Sequence, residues 1–169
     1  MIGRKGTRIA VAAFFGSRSV AGLNTVFVGP PRSVLNQDYF GGVSTKSGAI
    51  GFPYIEGQKD RRIAFTGGPS PNGLQAKLVI YEVAFSIRVT SYQAKGEAAL
   101  DDHDAIIDAF TTRLRSDRTL GGVMWQAGEG EMNMSEDIHI VTGPGPKTRK
   151  TDGPILIWSM VRFIAIEAI

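Results

Sequence analysis

Residues 77 to 90 alternate between apolar side chains and small or polar ones, and this is the clearest structural signal in the chain. The odd positions from Val79 to Val89 are all apolar, whereas the even positions from Glu82 to Thr90 are small, polar or charged. Because successive side chains of a strand point to opposite faces, the pattern predicts a long strand over Lys77–Thr90 with one buried face.

A helical repeat follows this strand at about Ala98–Arg115. Aspartates occupy its first turns and arginines its last, and each sign is favourable at that end of the helix dipole. The residues that recur every three or four positions and define its buried side are Leu100, His103, Ile107, Phe110 and Leu114. We therefore expect one long amphipathic helix that is ended by Gly121–Gly122.

Shorter patterns predict the remaining elements. The apolar run Ile9–Phe15 predicts a first helix on the core, and Ile155–Ile166, apolar on both faces, is typical of a central strand covered on both sides. The other strand candidates are Thr25–Val28, Ala49–Ile55, Arg62–Thr66, Val123–Gln126 and Ile138–Val141. Pro53 places the second of these at a sheet edge or a bulge, because proline cannot donate to the ladder.

These elements predict an α+β fold: a mostly antiparallel sheet with one long helix packed on one face and a short N-terminal helix. A length of 169 residues is typical of one domain, which we assign to residues 1–169. Two segments lack a regular period. Residues 32–49 form an irregular segment of the kind that docks partners, and residues 143–153 form a long hairpin loop.

Composition narrows the classes of protein. The chain has 43% hydrophobic and 21% charged residues, as ordinary globular proteins do, and its net charge of +3 is too small to argue nucleic-acid binding by itself. With no cysteine it has no disulfide, thiolate nucleophile or cysteine-ligated metal. No run reaches the roughly 18 apolar residues of a membrane span, so we expect a protein made in the cytoplasm, without a membrane partner.

The string Asp101-Asp102-His103-Asp104 is the strongest candidate for chemistry. Adjacent histidine and aspartate occur in metal-dependent phosphohydrolases, but these enzymes need further histidines, and this chain has only His103 and His139. We expect the aspartates to favour the helix N-terminus, His103 to be buried and His139 to be exposed on its strand. No serine shows a histidine partner in the sequence, so we expect no catalytic, cofactor or metal site.

Two charged stretches are candidates for interactions instead. The segment 129–137 is acidic, but its spacing differs from that of a calcium loop. The loop 143–153 is basic, yet it lacks the phosphate-loop spacing, and its prolines remove backbone donors. The interaction residues that we assign are Glu129, Glu131, Glu136 and Asp137 in the first stretch and Lys147, Arg149 and Lys150 in the second.

The order of these features resembles that of the tail terminator proteins of long-tailed bacteriophages, also called tail completion or head–tail joining proteins. The helix pattern Asp-x-x-x-x-Ile-x-x-Ala-Phe (Asp101–Phe110), leading to Leu-Gly-Gly-Val-Met-Trp (Leu120–Trp125), is the most specific part of the likeness. The resemblance covers the whole chain in layout.

The resemblance implies a virion protein that assembles into a ring, a hexamer, at the end of the tail tube. Such a ring stops polymerisation of the tube, contacts the tail tube protein and the head–tail connector protein, and lets DNA pass without reading it. The family has no catalytic residues to carry over. In such a ring, an acidic edge of one subunit can meet a basic loop of the next.

Three other functions remain open. One is a tail tube protein or another neck protein, and a second is a small metal-dependent hydrolase that uses His103. The third is a nucleic-acid-binding module that uses Arg4, Lys5, Arg8, Lys147, Arg149 and Lys150.

Overall fold

A computed structural model describes residues 2–16, 19–35, 38–39, 47–63, 76–92, 96–128, 138–143, 147–148 and 154–169. Within these ranges the fold is α+β, with two helices and a curled, mostly antiparallel sheet of seven strands. The elements in chain order are α1 (Gly3–Phe15), β1 (Leu23–Val26), β2 (Ser47–Ile63), β3 (Ala76–Ser91), α2 (Gly96–Ser116), β4 (Gln126–Gly128), β5 (His139–Thr142), β6 (Lys147–Thr148) and β7 (Ile155–Ala168).

Three long strands form the centre of the sheet. β3 is antiparallel to β2 on one side along its whole length and to β7 on the other side from Leu78 to Ser91. β1 is parallel to β2 at one edge, and β4, β5 and β6 all pair with the side of β7 that faces away from β3. The last strand is therefore central in the sheet, as predicted. The predicted cover on both of its faces is not found among the described residues, because both helices pack on one face and Trp158 on the other is 42% exposed.

Both helices contribute to one buried layer over the odd-numbered face of β3 and β7, here called the helix face. At its centre the ring of Phe15 from α1 stacks on Phe110 from α2, with centroids 4.0 Å apart. Phe85 of β3 lies 4.7 Å from the Phe110 ring, and Phe163 of β7 borders Phe15. Phe110 therefore packs on the odd-numbered face of β3, and the aromatic cluster joins both helices to both central strands.

The buried side of α2 differs at one predicted position. Leu100 is 39% exposed, whereas its neighbour Ala99 is fully buried, because Ala99 lies four residues before the buried His103 and therefore on the same side of the helix. His103, Phe110 and Leu114 are buried as predicted.

The prediction that Gly121–Gly122 end the long helix is wrong. α2 ends at Ser116, and a separate turn follows in which the Asp117 carboxylate accepts hydrogen bonds from the Thr119 amide and hydroxyl and from the Gly121 amide. These bonds fix a backbone with positive φ at Leu120, Gly121 and Gly122, so the two glycines serve this turn and not the helix end.

The observed bounds also differ from the predicted ones for two strand candidates. The candidate Ala49–Ile55 and the first two residues of the candidate Arg62–Thr66 belong to the single 17-residue strand β2, which contains Pro53 and has a bulge between Ile55 and Gly57. Residues 64–66 lie outside the described ranges. β1 pairs with β2 only as far as Gly51, so Pro53 lies on the outer strand, where its missing N–H is tolerated.

The observed bounds also differ from the predicted ones in the segments on the side of β7 away from β3. The candidate strand Val123–Gln126 is a turn up to Trp125, and β4 begins at Gln126. β5 takes the place of the candidate Ile138–Val141, shifted by one residue. The predicted loop 143–153 is interrupted by β6, which pairs with Ile155 and Leu156 of β7, and its remaining central residues lie outside the described ranges.

The even-numbered face of β3 and β7, here called the outer face, has its own smaller apolar cluster. This cluster consists of Leu78, Ile80, Ile164 and Ile166, each at most 7% exposed. No described helix is long and apolar enough to cross a lipid bilayer.

Candidate functional site

The N-terminus of α1 is attached to the end of β7 by a buried carboxylate. The first amides of a helix have no partners within it, and α1 has no side-chain cap of its own. Glu167, only 5% exposed, supplies the acceptor: its carboxylate accepts hydrogen bonds from the amides of Ile2 and Gly3 and, at 2.9 Å, from the Tyr81 hydroxyl. This contact fixes where α1 begins over the sheet.

The surroundings of this carboxylate shift two pKa values in opposite directions. Burial alone would raise the pKa of Glu167, but the donors from Ile2, Tyr81 and Gly3 outweigh it and hold the pKa below the ordinary value of 4.5. Burial, followed by the hydrogen bond to Glu167, raises the pKa of the Tyr81 hydroxyl to about 12. The group is therefore a charged acid held by a neutral tyrosine and a helix end.

The exposed side of α1 and the outer strand β2 enclose a positively charged depression. Arg4, Lys5 and Arg8 line it together with Tyr54 and Ile55, and its volume is about 300 Å³. Arg4 Nη2 donates to the Ile55 carbonyl at 2.7 Å, which holds one guanidinium at the rim. Arg8 Nε is buried and has no hydrogen-bond partner among the described residues. We call this feature the basic groove.

The carboxylate nearest in sequence to the groove wall is already paired. Glu56 accepts two hydrogen bonds from Arg162 of β7, at 2.9 and 3.1 Å, and this ion pair raises the pKa of the Arg162 guanidinium. Burial, and then the charge of Glu56, raises the pKa of the Tyr54 hydroxyl, so tyrosine adds no negative charge at neutral pH. The three cations of the groove thus keep their capacity to bind an anion.

Most of the predicted interaction residues lie outside the described ranges. These are Glu129, Glu131, Glu136 and Asp137 of the acidic stretch, and Arg149 and Lys150 of the basic loop. Lys147 begins β6, where its backbone pairs with Leu156. β4 and β5 flank the acidic stretch, and β6 lies within the basic loop. All three strands pair with β7 on the side away from β3, so both stretches are attached there.

The structure also places a serine beside the histidine and aspartate that are adjacent in α2, and the sequence did not connect this serine with them. His103 Nε2 of α2 lies 2.7 Å from Ser159 Oγ of β7, and His103 Nδ1 lies 2.9 Å from Asp104 Oδ1. Ser159 Oγ also donates to the Thr142 hydroxyl at 3.1 Å. The expectation that no serine has a histidine partner is wrong.

This arrangement has the side chains of a hydrolytic Ser-His-Asp triad, but a substrate has no access to the serine. Ser159 is 0% and His103 1% exposed, in the layer between helix and sheet, so no substrate reaches the hydroxyl. Both imidazole nitrogens already have partners, and the described residues contain no group of three potential metal ligands. A signal existed in the sequence: Ser159 is a polar residue on a buried strand face, and such residues need partners.

The outer face presents aromatic and cationic side chains to solvent. Trp158 is 42% exposed and lies opposite Arg88 of β3, whose guanidinium stands 5.2 Å from the centre of the Phe52 ring. The indole also packs closely against Gly143, where a Cβ atom would lie 2.1 Å from the ring. His139 is exposed on β5, as predicted.

A comparison with protein-family models finds no match to this chain, and a comparison with curated proteins finds none either. The functional argument therefore rests on the residues described above.

Proposed function

We propose that this chain is a structural virion protein of the tail terminator type, a ring at the head-proximal end of a phage tail tube. The ring terminates polymerisation of the tube and joins the tail to the head connector. The protein is made in the host cytoplasm and ends in the virion, and DNA passes through the ring without specific contacts.

The arrangement of the two sheet faces is the observation that carries this proposal. The aromatic centre that joins both helices lies on the helix face, while the outer face carries the half-exposed Trp158 beside an arginine. Exposed aromatic and arginine side chains are enriched where proteins contact each other. The order of the elements, with a short helix, a long strand, a long helix and a central last strand, also agrees with the resemblance.

The buried state of His103 weighs against the alternative of a metal-dependent hydrolase. A metal ligand needs a free ring nitrogen and a path for the ion, whereas both nitrogens of His103 are hydrogen-bonded and the residue is 1% exposed. Stoichiometric metal in the purified protein, lost on His103→Ala, would favour the hydrolase over the ring protein.

The oligomeric form tests the proposal and separates it from a tail tube protein. We expect closed rings in negative-stain images or by mass photometry, either of the protein alone or on tail tubes. A terminator stops after one or two rings, whereas a tube protein forms long stacks. A strictly monomeric protein that is absent from purified virions would contradict both.

The basic loop provides a second test. We propose that Lys147, Arg149 and Lys150 lie at the rim of the ring and dock it to the tube or connector, because charge complementarity is effective in setting the register of docking. Replacing all three with serine should leave the fold intact and reduce head–tail joining, and raised salt should mimic the defect. Fully joined, infectious virions from the triple variant would refute this docking role.

A further inference from the structure

A basic groove lies at one edge of the sheet, and the strands that flank an acidic segment lie at the other edge. The basic groove lies at the β2 edge, between α1 and the outer strand. The acidic segment, residues 129–137, is attached at the opposite edge, since it joins β4 to β5 and both pair with the far side of β7. It contains four carboxylates and no lysine or arginine.

A contact between unlike surfaces is the kind that closes a ring. Head-to-tail association places one patch of a subunit against a different patch of the next, and repeating the contact generates a ring when the rotation closes. The basic loop is attached at the same edge of β7 as the acidic segment, whereas the groove is at the other edge. The groove is therefore the cationic surface that is placed for a head-to-tail contact.

The groove is built to receive carboxylates. Its three cations have no described acid to neutralise them, since Glu56 is paired with Arg162. Arg8 Nε is a buried donor without an acceptor among the residues described, and leaving a buried donor unpaired is unfavourable. Arg4 is held in place by the Ile55 carbonyl, so part of the site is formed before the ligand arrives.

From these observations we infer that Arg4, Lys5 and Arg8 of one subunit bind the acidic segment 129–137 of the next subunit. The inference rests on the proposed ring and names the contact that closes it. It replaces the expectation that the acidic segment meets the basic loop of a neighbouring subunit.

Charge reversal of the full-length protein tests the contact. One variant carries Arg4→Glu, Lys5→Glu and Arg8→Glu, and the other carries Glu129→Lys, Glu131→Lys, Glu136→Lys and Asp137→Lys. A control with the same change of net charge as the first variant carries Arg32→Glu, Arg115→Glu and Arg118→Glu, three exposed residues outside the groove. Circular dichroism verifies folding, and sedimentation velocity at low and high salt measures self-association.

Each reversed variant alone should self-associate at least about tenfold more weakly than the wild type, because like charges then face each other. An equimolar mixture of the two should recover association, since each offers a groove and a segment of opposite sign to the other. The control should self-associate like the wild type, because its groove and its acidic segment are unchanged, and high salt should weaken the association of the wild type.

Several outcomes would overturn the inference. These are a wild type that does not self-associate at any concentration, a groove variant that associates like the wild type, and a mixture without recovery. Loss of binding to a short DNA duplex in the groove variant, with self-association intact, would make the groove a phosphate site instead. Recovery in the mixture without closed rings in images would support the contact but contradict the proposed terminator ring.

Discussion

Strand β7 is attached to both helices by buried polar groups, but the two groups differ in chemistry. At the start of α1 the group is the Glu167 carboxylate, which accepts hydrogen bonds from two amides and from Tyr81. Within α2 it is His103, which is bonded to Ser159 of the strand and to Asp104 of its own helix. One attachment depends on a carboxylate of the strand, and the other depends on a hydroxyl of the strand.

This difference in chemistry between the two contacts affects how strongly each helix is held on the sheet. Hydrogen bonds to a charged group contribute about 1.5–3 kcal/mol, roughly twice the contribution of neutral ones. Both helices bury mainly apolar residues, but α1 has no capping side chain and depends on Glu167 at its first turn, whereas α2 contacts β7 through the hydrogen bond of His103 to Ser159. We therefore expect α1 to be more sensitive to acid and to the loss of its polar anchor than α2 is.

The largest expected effect comes from the centre that the two helices share. Phe110 is fully buried between Phe15 of α1 and Phe85 of β3, so Phe110→Ala should lower the free energy of unfolding by about 3–5 kcal/mol. Chemical denaturation measures the change, and Leu100→Ala on the exposed side of α2 is the control, with an effect near 0.5 kcal/mol or less. A loss below about 1 kcal/mol for Phe110→Ala would mean that the helices do not meet there.

Removal of the charged anchor should have the next largest effect. Glu167→Gln keeps the shape but loses the charge and turns a donor toward the Tyr81 hydroxyl and the amides of α1, so stability should fall by about 2 kcal/mol. Glu97→Gln, an exposed acid in the first turn of α2, is the matched control, with an effect of a few tenths of a kcal/mol. Equal effects of the two substitutions would contradict the anchoring role of Glu167.

The spacing of apolar side chains along the sequence predicted the long strands and helices, because the faces that carry these side chains are the ones that pack in the core. It failed for β2, where the polar residues from Glu56 to Arg61 hid a continuous strand. Those residues lie at the edge, and ion pairs between Lys59 and Glu82 and between Lys77 and Asp60 join them to β3. A strand held by cross-strand ion pairs shows no apolar alternation, so hydrophobic periodicity cannot detect it.

The polar anchors were beyond the reach of sequence patterns for another reason. Glu167 binds residues 164 and 165 positions away, and Ser159 lies 56 positions from His103, so their pairing exists only in the folded chain. The sequence indicated only that polar residues lie on a buried face of β7. The groove was equally hidden, because Arg4, Lys5 and Arg8 could be recognised as basic but not placed beside Tyr54.

Lowering the pH should weaken the attachment of α1 to β7 more than that of α2. The pKa of folded Glu167 lies below the ordinary 4.5 of the unfolded chain, so its contribution is complete above about pH 4.5 and is lost as the pH falls through the folded value. The gap in unfolding free energy between the wild type and Glu167→Gln should therefore shrink between neutral pH and about pH 3. Urea denaturation across this range measures it, and a constant gap would show that the carboxylate is not the titrating anchor.

The smallest effect is expected at the contact between Ser159 and His103. Ser159→Ala removes the partner of His103 Nε2 and leaves that nitrogen buried, which should cost about 1 kcal/mol. Ser86→Ala, at a buried serine on the outer face of β3, is the control for loss of a hydroxyl away from the helices. The double variant Ser159→Ala with His103→Leu should be less destabilised than the sum of the two single variants, because no polar atom is then left without a partner. Additive effects in this cycle would mean that serine and histidine do not stabilise each other, and α2 would then be attached to β7 by apolar contacts alone.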